Sequence, residues 1–125
     1  MIQSYRDLKV WQEAMDLAEA AYRISQTMPP SERFGMISQI RRAAVSIPSN
    51  IAEGYGREST GSYVHFLKTA RGSLRELETH VLIAHRVGLV QTQETDKLLD
   101  LAERIAKMLH ALIRSVQSSR MAADK

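Results

Sequence analysis

The sequence predicts an all-α protein: an antiparallel up-down-up-down four-helix bundle with its second helix kinked at Pro48. Three observations predict it. In four separate segments the apolar residues recur at alternating steps of four and three, the spacing of one helical face. No window alternates apolar with polar residues as a half-buried strand does. Between the segments lie only short turn-forming stretches around Pro29-Pro30, Gly54 to Ser59 and Gly88, so consecutive helices must fold back on one another.

The first helix is expected from about Asp7 to Met28. Val10, Ala14, Leu17, Ala21, Ile24 and Met28 form its apolar row, and Trp11, Met15, Ala18 and Tyr22 form a second row beside it. Ser4 or Asp7 can cap its start, and Pro29-Pro30 ends it. Glu13, Asp16, Glu19 and Arg23 are assigned to the water side. A stripe this wide suits two neighbours rather than one.

Ser31 is a fair N-cap for the second helix, which contains SQIRRAAVSIPSNIAEGYGR, residues 38–57. Ile37, Ile40, Ala44, Ile47 and Ile51 lie on one face, with Pro48 inside the run. Proline lacks the N–H that would bond the carbonyl of Ala44, and its ring crowds that carbonyl, so a bend is expected. The residues around it, Ala43, Ala44, Ser46, Ser49, Ala52 and Gly54, are all small and would let another backbone come close. Asn50 followed by Glu53 imitates a capping box, which offers the chain a place to restart as a separate short helix.

The third helix begins near Ser59 to Ser62, carries Tyr63, Leu67, Ala70, Leu74, Leu77, Val81 and Ala84 on one face, and ends at Gly88. Thr92 caps the fourth, with Glu94 and Asp96 in the first turn, where acids suit the helix dipole. Leu98, Ala102, Ile105, Leu109, Leu112 and Val116 supply its core. A single domain therefore spans residues 1–125, with an ordered core of about 5–118 and a frayed tail at 119–125.

Composition excludes several function classes. The 125 residues include no cysteine, so thiolate metal sites and cysteine nucleophiles are ruled out. The N-terminus is polar from the start, unlike a leader peptide, and no apolar run is long enough to span a membrane. A cytoplasmic protein without membrane association is expected. Seventeen Lys and Arg against fourteen Asp and Glu leave a net charge of +3. That excess matches residues 31–90 alone, which hold eight basic and five acidic side chains, seven of the bases being arginine. Arginine is the side chain suited to bidentate phosphate contacts.

Candidate catalytic chemistry is sparse. A di-iron bundle needs two Glu-x-x-His motifs, and none is present. Glu76 and His80 lie one turn apart, but His80 shares a row with Phe66, Ala70, Leu77 and Ala84 and reads as a hydrogen-bonded core or interface histidine. The glycines of GYGRES, residues 54–59, lack the strand and the Lys-Ser/Thr ending of a phosphate loop. No metal and no cofactor is expected. Arg75 and His80 form an Arg-x4-His spacing similar to that of HEPN-type nucleases, where histidine acts as acid or base and arginine holds the phosphate. Arg104 and His110 match a looser form of the same spacing by chance, so this stands as the enzymatic alternative to a protein that is expected not to be an enzyme.

The basic residues are the stronger lead. Lys68, Arg71, Arg75 and Arg86 fall along one edge of the third helix, and Arg41 and Arg42 of the second can extend it. Regularly spaced cations on rigid helices can follow a phosphate backbone without reading bases. The same residues, partly neutralised by Glu76 and Glu78, could equally form a solvated or intersubunit face. The residues alone leave both readings open.

SQIRRAAVSIPSNIAEGYGR (38–57), with YRDLKVW (5–11) and FLKTARGSLRELET (66–79), closely resembles the 23S rRNA intervening-sequence protein family. The resemblance runs from about Tyr5 to Leu89. It implies a small four-helix bundle assembled as a homopentameric ring or barrel. It is similar also to a related branch, the accessory variability protein of diversity-generating retroelements, which binds nucleic acid and a reverse transcriptase through basic surfaces. The resemblance therefore implies an assembly that binds RNA or DNA, with a protein partner such as a reverse transcriptase, and brings no catalytic residue. Its motif places Arg41, Arg42 and Arg57 among the candidate nucleic-acid contacts, while Lys68, Arg71, Arg75 and Arg86 rest on the helical reading.

Overall fold

Ser4 opens the chain with a capping box, its hydroxyl accepting from the Arg6 N–H at 3.1 Å while the Asp7 carboxylate accepts from the Ser4 N–H at 3.2 Å. That box closes a single 3-10 turn, Tyr5–Asp7, rather than the first long helix. In the computed structural model, which describes residues 2–123, four helices follow: α1, Lys9–Gln26; α2, Met36–Tyr55; α3, Thr60–Arg86; and α4, Thr92–Ala123. The described residues contain no strand.

The boundaries follow local chemistry. Thr27 and the two prolines end α1, as expected, but Ser31 falls inside a 3-10 turn, Pro30–Glu32, and Gly35 takes the N-cap position of α2. The Glu32 carboxylate, rather than Ser31, supplies the side-chain cap, accepting from the Met36 N–H at 3.2 Å. Ser59 caps α3 by accepting from the Ser62 N–H at 3.1 Å. At its other end Gly88 adopts φ +82°. There the Leu89 N–H donates to the Ala84 carbonyl and the Gly88 N–H to that of His85, the paired bonds of a Schellman turn. Thr92 is the first residue of α4 rather than its cap, and its hydroxyl meets His85 Nε2 at 3.0 Å.

Pro48 lies inside α2, which runs unbroken from Met36 to Tyr55, so the restart suggested by Asn50 and Glu53 does not occur. Asn50 instead turns back along α2, where its side-chain amide donates to the Ser46 carbonyl at 2.7 Å and to the Ser46 hydroxyl at 2.9 Å. α4 continues to Ala123, past the end expected near Ser118; the final two positions of the expected tail lie outside the described residues.

Each helix packs on its sequence neighbours, and α1 against α4 closes the ring of four. Ser46 of α2 hydrogen-bonds Ser73 of α3 at 2.7 Å, while Gly54 lies against Tyr63 and Phe66, so numbers rise on one helix as they fall on the other. The centre is aliphatic, and Leu17, Ile47, Ile51, Leu74, Leu77 and Ile105 within it are inaccessible to solvent. Burying such side chains drives assembly at roughly 25 cal/mol per Å² of apolar surface. Leu112 and Val116, expected in the core, are only half-buried. Glu13 overturns its assignment to the water side: it is buried between α1 and α4, paired with Arg104. No helix among the described residues is long and apolar enough to cross a membrane.

Candidate nucleic-acid interface

Adjacent residues on a helix point about 100° apart, so Arg41 and Arg42 cannot share a face. Arg41 turns toward α1. Its Nε donates to the buried Ser25 hydroxyl at 2.8 Å, and its guanidinium lies over the Tyr22 ring, 4.5 Å from the centroid. Arg41 is thus a brace between α1 and α2. Arg42 is exposed and makes no ion pair among the described residues. Arg57, one residue beyond the Gly56 cap of α2, pairs with Glu53 and stacks over Phe66 at 4.7 Å. Phe66 is also the side chain that a Cβ at Gly54 would meet at 2.9 Å, so Arg57 rests on a tight contact between α2 and α3. Burial, with a smaller contribution from neighbouring Tyr55, pushes the Tyr63 hydroxyl there above its usual range, so it adds no charge at neutral pH.

Lys68, Arg71 and Arg75 do come together, and α4 completes their setting. They form one wall of an open groove of about 760 Å³ between α3 and α4, whose other wall carries Glu103, Lys107 and His110. Gly72 and Ala106 form its floor. A side chain at Gly72 would meet nothing within 4 Å, so the floor is open there. Arg75 is tied to Glu78 at 2.8 Å, and Lys107 stands 3.9 Å from Glu103, at the limit of an ion pair. Lys68 and Arg71 have no carboxylate partner among the described residues. Exposed pairs of this kind hold their cations weakly, which leaves them available to a stronger anion.

Arg86 does not extend this wall. Beyond Arg75 the α3–α4 seam passes Glu78, Leu82, Asp100 and Glu103, an acidic and apolar stretch that separates Arg86 from the groove. Nor are Arg75 and His80 one site. Five residues of helix turn them roughly 140° apart, and His80, with 14% of its side chain exposed, sits 3.4 Å from Glu76 instead. Among the described residues no three potential metal ligands converge.

The helical reading of α3 missed Lys107 and His110. A signal for them existed: Lys68, Arg71 and Arg75 lie 21, 18 and 14 residues before Leu89, and His110, Lys107 and Glu103 lie the same distances after it. In two helices folded back about a tight turn, such mirror positions face each other.

A second groove, between α1 and α2, has the opposite character. Trp11, Met15, Ala18, Val45, Pro48 and Ala52 line about 380 Å³, with Tyr5 edge-on to Trp11 at 5.2 Å. Met15 and Val45 are close to half exposed. Apolar surface gathered in this way marks a contact face more often than scattered exposed residues do.

A family model described as 23S rRNA-intervening sequence protein matches residues 6–111. Among solved structures, the chain is similar to a protein of unknown function from the S23 ribosomal protein family of Bacteroides thetaiotaomicron. The two are 21% identical, the match covers 83% of this chain and 97% of that one, and the TM-score is 0.78. At that identity the likeness speaks for the fold. No curated protein matches the chain.

Proposed function

Because this chain belongs to the 23S rRNA-intervening sequence protein family, we propose that it is a non-enzymatic, self-assembling helical-bundle protein that binds nucleic acid, RNA foremost. The observation that carries the reading is the convergence of Lys68, Arg71 and Arg75 with Lys107 and His110 on one groove, Lys68 and Arg71 being without a carboxylate partner among the described residues. Cations held on two rigid helices can contact phosphates at fixed spacing without reading bases, and such binding is general in sequence.

Assembly strengthens the argument. The apolar α1–α2 groove is on the opposite edge of the four-helix ring from the basic groove, so subunits can associate through one while presenting the other. A homopentamer, the state implied by the family resemblance, would carry about +15 from five copies at +3 each and would repeat the basic groove around a ring. Binding titrations with structured RNA, single-stranded RNA and duplex DNA at two salt concentrations test the reading. Log affinity should fall steeply with log salt, and salt-independent binding or none would overturn it.

A second reading, a structural or protein-partner module, is favoured by Arg41 and Arg57, whose guanidinium groups are committed to Tyr22, Ser25, Glu53 and Phe66 within the chain. Under it the cations would serve subunit or partner contacts. The nuclease alternative built on Arg75 and His80 draws nothing from their divergent placement.

A further inference from the structure

The groove has a shape as well as a charge, and the shape restricts what can enter it. Lys68, Arg71 and Arg75 span seven residue steps, or about 10 Å along the helix axis. The opposing wall is a second helix packed against the first, with axes at the roughly 8–10 Å typical of neighbouring helices, so the furrow between them is at most that wide at its mouth and admits one strand there rather than two. A duplex is far wider than this and could bring only one of its backbones to the rim. The floor decides how deeply a strand can settle. At Gly72 there is no side chain, and the space a Cβ would occupy is empty; Ala106 opposite it is small and buried.

Glycine in the interior of an exposed helix costs stability, roughly 0.5–1 kcal/mol relative to alanine. At Gly54 the close approach of Phe66 and Tyr63 explains the residue; at Gly72 no packing contact does. What the missing side chain provides is an open floor between the Lys68 and Arg71 wall and the facing wall of Lys107 and His110, which also carries Glu103.

Resting on the nucleic-acid reading above, we infer that the α3–α4 groove takes a single, unpaired strand, whose phosphates settle between Lys68 and Arg71 on one side and Lys107 and His110 on the other, and that Gly72 sets the depth they reach. Arg75, tied to Glu78, and Glu103 close the groove toward its acidic end, so the strand is held along the stretch from Arg71 to Lys68. Selectivity for the unpaired form comes from this depth, because a strand paired to another cannot descend to the floor.

Gly72→Leu tests the inference, since leucine fills the floor, changes no charge, favours helix and offers no aromatic ring for bases to stack on. The full-length protein is titrated with an unstructured single-stranded RNA and with a duplex RNA of the same length, at matched salt. The parent should prefer the single strand, and Gly72→Leu should lower that affinity tenfold or more while duplex binding moves less than threefold. Gly72→Ala, which adds one methyl group to the floor, should weaken single-strand binding in the same direction but by less than Gly72→Leu does. Circular dichroism and thermal melting should show both variants folded and no less stable than the parent. Equal parental binding of the two probes, or Gly72→Leu unchanged on the single strand, would overturn the inference and leave the general nucleic-acid reading standing. Failure of the parent to bind either probe would overturn the reading itself.

Discussion

Glu13 of α1 and Arg104 of α4 meet in a two-pronged ion pair: Arg104 Nε donates to Glu13 Oε2 at 3.1 Å, and Nη2 lies against Oε1. They are 91 positions apart in the chain, and theirs is the one ion pair among the described residues that joins two helices. The carboxylate is 12% exposed and the guanidinium 63%, so the acid depends on its partner far more than the base does. Arg104→Ala should therefore destabilise the fold by about 1–3 kcal/mol, the cost of leaving a nearly buried polar group unpaired. Glu13→Ala, which strands only a guanidinium already in water, should cost less. Urea unfolding of both variants checks the asymmetry, and an equal loss in the two would contradict it.

The two helix-interior glycines should respond in opposite directions to the same change. A Cβ at Gly54 would lie 2.9 Å from the Phe66 Cβ and 3.1 Å from the Tyr63 ring, so Gly54→Ala should force α2 and α3 apart and cost about 1–3 kcal/mol. Gly72→Ala meets nothing and should gain about 0.5–1 kcal/mol from helix propensity. Thermal melts of the pair decide it.

Pro48 is buried within α2 and lines the apolar α1–α2 groove. Pro48→Ala should leave a folded, helical protein, because alanine restores the missing N–H without breaking the helix. Its assembly should change, since the proline ring is part of the apolar contact face. Circular dichroism unchanged beside an altered elution volume is the expected result, and outright unfolding would contradict it.

Arginines should separate by salt dependence. Replacing Arg71 and Arg75 by Ala should reduce the slope of log affinity against log salt on a single-stranded probe by about 0.7–1.4, the two ends corresponding to one and two fewer neutralised phosphates. The lower figure applies if Arg75 stays with Glu78 in the complex. Arg41→Ala should leave the slope unaltered and instead lower stability by about 1 kcal/mol, because the Ser25 bond and the Tyr22 stacking go with it. A changed slope for Arg41→Ala would place that arginine on the nucleic acid.

Much of the fold is legible in the residues alone, because helical periodicity is a local signal. The apolar rows of α1 and α3, the cap at Ser59 and the stop at Gly88 each depend on residues within a turn or two of one another. Sequence reasoning fails where a distant partner decides the outcome. Glu13 looks like a surface acid until Arg104 is brought to it. Arg41 and Arg42 look like a pair because they are adjacent, yet one braces α1 and the other faces solvent. Of the basic candidates, Lys68, Arg71 and Arg75 do share a wall, but the facing wall belongs to α4 and needs the register of the turn to be found.

That register has an evolutionary consequence. The turn at Gly88 fixes which residues of α4 stand opposite the α3 wall, and it fixes at the same stroke how Leu98, Ala102, Ile105 and Leu109 meet the centre of the bundle. One residue inserted within the first turn of α4 would rotate the rest of that helix by about 100°, exchanging groove positions for core positions along its length. A change of that kind costs the core, while Lys68, Lys107 and His110 are exposed and can be replaced at little cost to folding. Descendants of this chain can rewrite the charges facing the groove one substitution at a time, but they inherit the places where those charges stand.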